Sequence, residues 1–357
     1  MNTKKFAFIV ALAFAVTSFT GCGAYAPGNG APSYSGASAA PPYSPMTDGA
    51  NEYNTEHNTE EYSAIKEAGF KNPRIEPLST FSADVDTASY TNIRRYINSG
   101  DTIPDGAVRI EEMLNYFSYN YPEPEEGKAF STSVEMGDCP LNRNTKLLKI
   151  GLQTKKIDTS EMPPSNLVFL IDSSGSMSSD DKLPLIQRAF GLVTENMGEN
   201  DKISIVTYAA SNEILIEGAT VNDKDAIMDK LSSLIAYGST NGEGGIETAY
   251  KVAERNFIKG GINRVILATD GDLNVGITSE SGLKKLIEKK RDGGIFLSVI
   301  GVGTGNIKDN KMETLADNGN GNYSYIDSVT EAERVLIEEK GATFFTVAKD
   351  VKFQLEF

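Results

Sequence analysis

From Asn166 onward, largely apolar runs alternate with stretches of helical spacing. The runs are Leu167–Ile171, Ile203–Tyr208, Val265–Ala268 and Ile295–Val302. A strand with no apolar/polar alternation has to be covered on both faces, which suits a parallel sheet sandwiched between helices. Ile186, Ala189, Phe190, Val193 and Met197 stand at i, i+3, i+4, i+7 and i+11, the stripe of one such covering helix. The expected fold is therefore α/β, a doubly wound and mainly parallel sheet, over residues 161–341.

The chain ahead of that unit reads differently. Within residues 76–160, Tyr90, Ile93 and Ile97 and then Ile110, Met113, Leu114 and Phe117 repeat at helical spacing. Phe130–Val134 and the alternating Leu148, Ile150 and Leu152 predict two strands, so this is a small α+β segment. Alternation returns through Val347, Val351, Phe353, Leu355 and Phe357, which marks residues 342–357 as the start of a β region. An apolar edge of that kind needs a partner strand. The expectation is that it returns to pair with the β part of the first unit and that a further domain follows in a longer chain.

Residues 1–22 carry Lys4 and Lys5, an apolar run from Phe6 to Val16, and then Thr20, Gly21 and Cys22. The run is short for a membrane span, which needs about 20 residues, and it has the layout of a secretory leader. It resembles the leader of bacterial lipoproteins, with Phe19 where an aliphatic residue is usual. That resemblance implies cleavage before Cys22, a diacylglycerol on its thiol, and an extracytoplasmic, membrane-anchored location in the cell envelope. Residues 23–75 predict a disordered tether: about the first 40 are rich in Gly, Ala, Pro, Ser, Asn and Tyr and as a flexible coil would span about 35 Å.

Composition removes several functions. The 34 Lys+Arg against 49 Asp+Glu give a net charge of −15 with no basic tract, so nucleic acid is not an expected partner. The single histidine, His57, falls in the tether, which leaves no imidazole pair for a triad or a zinc cluster. Cys139 has only Cys22 as a possible partner, so no disulfide staple is expected and Cys139 reads as a small apolar residue.

The chemistry gathers where strands end. Leu167–Ile171 runs into Asp172, and Val265–Thr269 runs into Asp270. Parallel strands of one sheet deliver both carboxylates to the same rim, where ligands of open α/β sheets collect. In D-S-S-G-S-M, Gly175 permits a tight turn that can aim Ser174 and Ser176 back toward Asp172. These are hard oxygen donors without His or Cys, a set suited to Mg²⁺, Mn²⁺ or Ca²⁺ rather than zinc.

D-x-S-x-S at Asp172, Ser174 and Ser176, G-S-T-N-G with Thr240, and T-D-G with Asp270 together resemble a von Willebrand factor A domain with a metal-ion-dependent adhesion site. The resemblance implies that Ser174, Ser176 and Thr240 touch the ion directly or through water, while Asp172 and Asp270 mostly hold its waters. An ion with so few direct carboxylates would take a Glu or Asp carboxylate of a partner protein as its sixth ligand, and Mg²⁺ is the expected occupant. F-S-A-D-V-D-T-A-S-Y, R-I-E-E-M-L-N-Y-F and D-N-G-N-G-N-Y-S-Y-I-D resemble a bacterial lipoprotein family in which a von Willebrand-associated segment precedes the A domain.

Neighbouring polar residues have simpler readings. Asp180 and Asp181 come one residue late for the adjacent metal site of integrin-type A domains and are expected to cap the next helix. Glu243 is expected in the first turn of a helix. Asp270, Asp272 and Asn274 imitate an EF-hand start but lack its glycine and its twelfth-position glutamate. Gly301, Gly303 and Gly305 read as a loop, since Asn306 replaces the third glycine of a dinucleotide fingerprint. Ser174 stands where an aspartyl phosphatase needs a second aspartate. The expectation is a non-enzymatic, lipid-anchored envelope protein that binds a protein through a divalent cation. An assembly scaffold with a structural metal is the alternative, and a metal-dependent hydrolase using Glu243, Asp180 or Asp272 as base is more remote.

Overall fold

The computed structural model describes residues 58–64, 69–83, 85–157, 162–240, 242–271, 280–345, 347 and 351–357. The leader with Cys22, the tether as far as His57, and Asp272 and Asn274 lie outside the described residues. Among the described residues, no helix is long and apolar enough to cross a membrane.

In chain order the strands are β1 (Leu78–Ser82), β2 (Phe130–Asp138), β3 (Lys146–Thr154), β4 (Ser165–Asp172), β5 (Lys202–Tyr208), β6 (Asn212–Ala219), β7 (Ile262–Thr269), β8 (Phe296–Val302), β9 (Tyr323–Ile326) and β10 (Lys352–Glu356). The helices are α1 (Ala88–Ser99), α2 (Ile110–Asn115), α3 (Leu183–Glu195), α4 (Lys224–Ser232), α5 (Gly242–Arg255), α6 (Glu280–Asp292), α7 (Asp309–Asn318), α8 (Val329–Glu333) and α9 (Lys340–Phe344), with a π-helical turn at Arg334–Glu338 joining the last two.

A six-stranded sheet with order β6-β5-β4-β7-β8-β9 forms the centre, and every neighbouring pair in it is parallel except β5 with β6. All eight residues of β4 are buried. Alternate side chains of a strand point to opposite faces, and β4 feeds two cores accordingly. Leu167, Phe169 and Ile171 join the side chains of α3, α4 and the C-terminal helices, with Phe169 stacked on Phe190 at 4.0 Å between ring centroids. Val168 and Leu170 join those of α5, α6 and α7. Each such aliphatic side chain contributes about 1.5–3 kcal/mol on burial. Fully buried Arg264 donates to Ser298 Oγ (2.6 Å) and to the Phe344 carbonyl (3.1 Å), tying β7 to the end of α9.

The four apolar runs became β4, β5, β7 and β8. β6 and β9 carried no such signal, for different reasons. β6 is an antiparallel edge strand with a mostly half-exposed pattern, and β9 is only four residues long.

The N-terminal segment closes the other edge. The Tyr323 N–H of β9 donates to Asp86 Oδ1 at 2.8 Å, and α1 packs alongside. The predicted helices exist, but they bury other faces than their apolar spacing suggested. In α1 the buried residues are Ala88, Ser89, Thr91, Asn92, Ile93 and Tyr96, while Ile97 is exposed. In α2 the apolar Ile110 and Leu114 face solvent and Glu112 is fully buried. Charge pairing accounts for the inversion. Glu112 accepts from Arg109 Nη1 (2.6 Å) and from the Ser89 N–H (2.8 Å), and Arg109 also reaches Asp309 and Glu313 of α7.

A second arginine, Arg94, forks onto Asp327 at 2.8 and 2.6 Å and also reaches Glu331 at 3.0 Å. A third, Arg95, pairs with Glu60 at 2.9 Å. Residues 58–64 therefore do not behave as tether. They run along the β8–α7 loop, with Thr59 N–H donating to the Gly305 carbonyl (2.7 Å) and Glu61 N–H to that of Ile307 (2.8 Å). Composition could not anticipate this, because main-chain pairing and one buried ion pair hold the segment rather than an apolar stripe.

β10 returns to pair antiparallel with β1, from Leu78↔Glu356 to Ser82↔Lys352. β2 and β3 form a separate antiparallel pair, and Phe353 packs on Phe81 and Phe130 to link the two. Cys139 follows β2 in the exposed turn, where Thr145 and the backbone around Leu141 and Asn142 hydrogen-bond its sulfur and lower its pKa. It is a half-buried turn thiol with hydrogen-bonding partners rather than the small apolar residue expected from the sequence.

Candidate metal centre

The register of β4 decides what meets at the rim. Ile171 lies opposite Ala268 of β7, and Asp172 lies opposite Tyr208 of β5. Asp172, Thr269 at the end of β7 and Asp270 just after it therefore reach the carboxyl edge together. Both aspartates are fully buried. Asp172 Oδ1 accepts the Ser174 N–H (2.9 Å), and Oδ2 accepts the hydroxyls of Thr269 (3.0 Å) and Tyr208 (3.2 Å). Burial pushes the Asp172 carboxyl up to about 6, and the Asp270 charge adds to the rise. The hydrogen bonds from Ser174 and Thr269 pull the other way. A carboxylate held this far from water gains most from a nearby cation.

The turn after Asp172 is a single 3₁₀ segment, Gly175–Ser178. It brings the Ser174 and Ser176 hydroxyl oxygens to 3.1 Å from each other. Two main-chain bonds stitch it to the loop that leads to Thr240. Gly175 N–H donates to the Gly238 carbonyl (3.0 Å), and Tyr237 N–H donates to the Ser173 carbonyl (2.8 Å). Gly238 has φ +78°, a left-handed backbone that glycine adopts without strain. Thr240 follows two residues later, half-buried at the head of α5. That helix lies so close to β5 that a Cβ on Gly245 would overlap the Tyr208 ring.

The donor set fits a small hard cation. In octahedral coordination with metal–oxygen distances of about 2.0–2.1 Å, adjacent ligand oxygens lie about 2.9 Å apart. The Ser174–Ser176 pair, at 3.1 Å, already has that spacing. Two carboxylates, three hydroxyls and no sulfur or imidazole match Mg²⁺ or Mn²⁺ better than zinc.

The other polar residues sort themselves by position. Glu243 lies in the first turn of α5, as expected. Asp180 and Asp181 do not cap α3. Lys182 occupies its N-cap, and the first turn holds no acidic residue. Pro184 at the second helical position sets φ without needing a capped N–H, so the helix starts without them. Asp181 instead accepts the Ser179 hydroxyl (2.5 Å).

Lys182 is the site residue that sequence reading missed. Its Nζ lies 3.1 Å from Asp270 Oδ2 and 3.0 Å from Asn306 Oδ1. The only hint in the sequence is a lysine just before the apolar stripe of α3. Nothing in one dimension places Asn306, 124 residues away, beside it.

Residues 166–338 match the family described as von Willebrand factor type A domain, and residues 56–149 match one described as von Willebrand factor. The six-stranded sheet, its helices and the D-x-S-x-S turn at its rim agree with that match. Residues 166–338 are a von Willebrand factor type A domain. The uncharacterized protein YfbK of Escherichia coli (strain K12) is 44% identical over 306 residues, covering 84% of this chain and 53% of YfbK. The uncharacterized protein sll0103 of Synechocystis is 26% identical, covering 55% of this chain and 45% of its own. The chain thus spans about half the length of these relatives. Among solved structures, manganese-loaded Plasmodium vivax TRAP protein aligns with 55% of this chain and 77% of its own, at 19% identity and a TM-score of 0.41. Proximal thread matrix protein 1 of the mussel byssus, with a zinc-occupied MIDAS motif, aligns with 49% of this chain and 46% of its own, at 18% identity and a TM-score of 0.39.

Proposed function

We propose that this A domain binds a protein partner through a divalent cation held by Asp172, Ser174, Ser176, Thr240 and Asp270, on a lipid-anchored, non-enzymatic protein of the bacterial cell envelope. The observation that carries the reading is the pair of serine hydroxyls spaced as adjacent ligands beside two buried carboxylates. In this reading the hydroxyls of Ser174, Ser176 and Thr240 face the ion, and Asp172 and Asp270 orient its waters. Asp172 is held for that task by Tyr208, Thr269 and the Ser174 N–H. The cation supplies a Lewis-acidic position that takes a Glu or Asp carboxylate of the partner. Mg²⁺ suits the site as the resident ion, with Mn²⁺ or Ca²⁺ as substitutes. The lipid anchor rests on Cys22 and the leader-like residues before it.

Affinity capture from envelope extract tests the reading, comparing Mg²⁺ with EDTA and wild type with Ser174→Ala and Asp270→Ala variants shown by circular dichroism to be folded. The expected result is one partner that elutes with chelator and is absent from both variants. Equal capture by the variants overturns it. In the scaffold alternative, chelation lowers thermal stability while capture persists. Turnover of a phosphoester or peptide that Asp270→Ala abolishes would replace both readings with a hydrolase.

A further inference from the structure

Lys182 stands in an electrostatically awkward place. It is at the N-cap of α3, where the helix dipole disfavours a positive charge, and only 9% of its side chain is exposed. A lysine there would ordinarily turn its ammonium to water. Instead the stem crosses Gly303, and the ammonium ends between Asp270 Oδ2 (3.1 Å) and Asn306 Oδ1 (3.0 Å). The path is built for it. Gly303 has φ +78°, and a Cβ there would overlap the lysine stem. The Tyr325 hydroxyl fixes the glycine by donating to its carbonyl at 2.7 Å.

We infer that Lys182 is a counter-cation built into the metal centre, which weakens divalent-ion binding and keeps a bound ion short of negative charge, so that it demands an anionic oxygen from a partner. Two carboxylates with one ammonium present a net charge of −1 to the ion rather than −2. A divalent cation then leaves the centre at +1, a charge that only an outside anion neutralises. In a buried setting such charges act at low effective dielectric and are felt strongly. Lys182 thereby sets the ligand class of the site, and this inference rests on the metal-dependent reading above.

The test uses Mn²⁺ as the metal and acetate as the carboxylate probe, with the full chain. Free Mn²⁺ is measured by electron paramagnetic resonance in wild type, Lys182→Met and Lys182→Gln. The glutamine variant keeps a hydrogen-bond donor for Asp270 and Asn306 while removing the charge, so it separates the two roles. Both variants are expected to bind Mn²⁺ at least ten-fold more tightly than wild type. Once loaded, they are expected to bind acetate at least three-fold more weakly. Unchanged or weaker Mn²⁺ binding in either folded variant overturns the inference while leaving the metal-dependent reading in place. If both variants fail to fold with and without Mn²⁺, Lys182 is a structural strut and the inference is wrong. Mn²⁺ binding by neither wild type nor variants overturns the inference and the metal-dependent reading together.

Discussion

Buried carboxylates gather in two parts of the molecule, and the two differ in the kind of group that meets them. At the seam between the N-terminal segment and the A domain, planar arginines meet the acids. Arg109 serves Glu112, Asp309 and Glu313, Arg94 serves Asp327 and Glu331, and Arg95 serves Glu60. At the sheet rim, two aspartates are wholly buried: a lysine pairs with Asp270, and Asp172 is held by hydroxyls and a main-chain N–H. The planar guanidinium can serve several acids at once and holds two elements together. The lysine ammonium is a compact point charge, and in the proposed reading it leaves rim oxygens for a divalent guest. Like residue types thus build a seam in one place and the candidate ion site in the other.

Breaking the seam should have the largest effect. Arg109→Met leaves Glu112, fully buried, without its guanidinium, and should cost about 3–5 kcal/mol in urea unfolding. A loss below about 1 kcal/mol would show that the seam is no better closed than a surface.

The rim should instead be stabilised by what it binds. Mg²⁺ at one hundred times its Kd should raise unfolding stability by about 2.7 kcal/mol in wild type, and Ser174→Ala should show no such gain. An equal gain in the variant would place the ion elsewhere.

A smaller effect separates the two regions by pH. Burial, with the charges of Glu112 and Asp309 added, pushes the Glu313 carboxyl up to about 7 against the pull of Arg109. The folded chain therefore holds this proton more tightly than the unfolded one. Its contribution is full below about pH 4.5 and lost as pH climbs through 7, on the order of 1 kcal/mol or less once solvent screening is allowed for. Glu313→Gln should flatten that part of the stability profile in chelator, and an unchanged slope would exclude Glu313 as its source. Smallest of all, Arg255→Ala removes the half-exposed pair with Glu217 and should change thermal stability by 0–1 kcal/mol.

What could be read without coordinates follows from which forces leave a one-dimensional trace. Burial on both faces writes itself as an unbroken run, so β4, β5, β7 and β8 were legible, and with them the meeting of Asp172 and Asp270. The D-S-S-G-S-M turn was legible because a glycine and alternate serines are a local device. Ionic packing leaves no period. The exposed Ile110 and Leu114 of α2 gave a correct helix and a wrong face, because Glu112 takes the interior position through Arg109. For the same reason Glu60, Arg95 and Lys182 went unnoticed: each matters through a partner far away in the chain.

The clasp of β1 on β10 has a mechanical consequence. Its antiparallel register places Leu78 beside Glu356, and the Phe357 N–H donates to the Pro77 carbonyl (2.9 Å), so the outer ends of the two strands meet at one point. A pull applied at Pro77 and Phe357 would peel this short ribbon open one rung at a time before any load reached the central sheet. The clasp would then act as a fuse, leaving the rim that carries Asp172 and Asp270 intact while the ribbon lengthens.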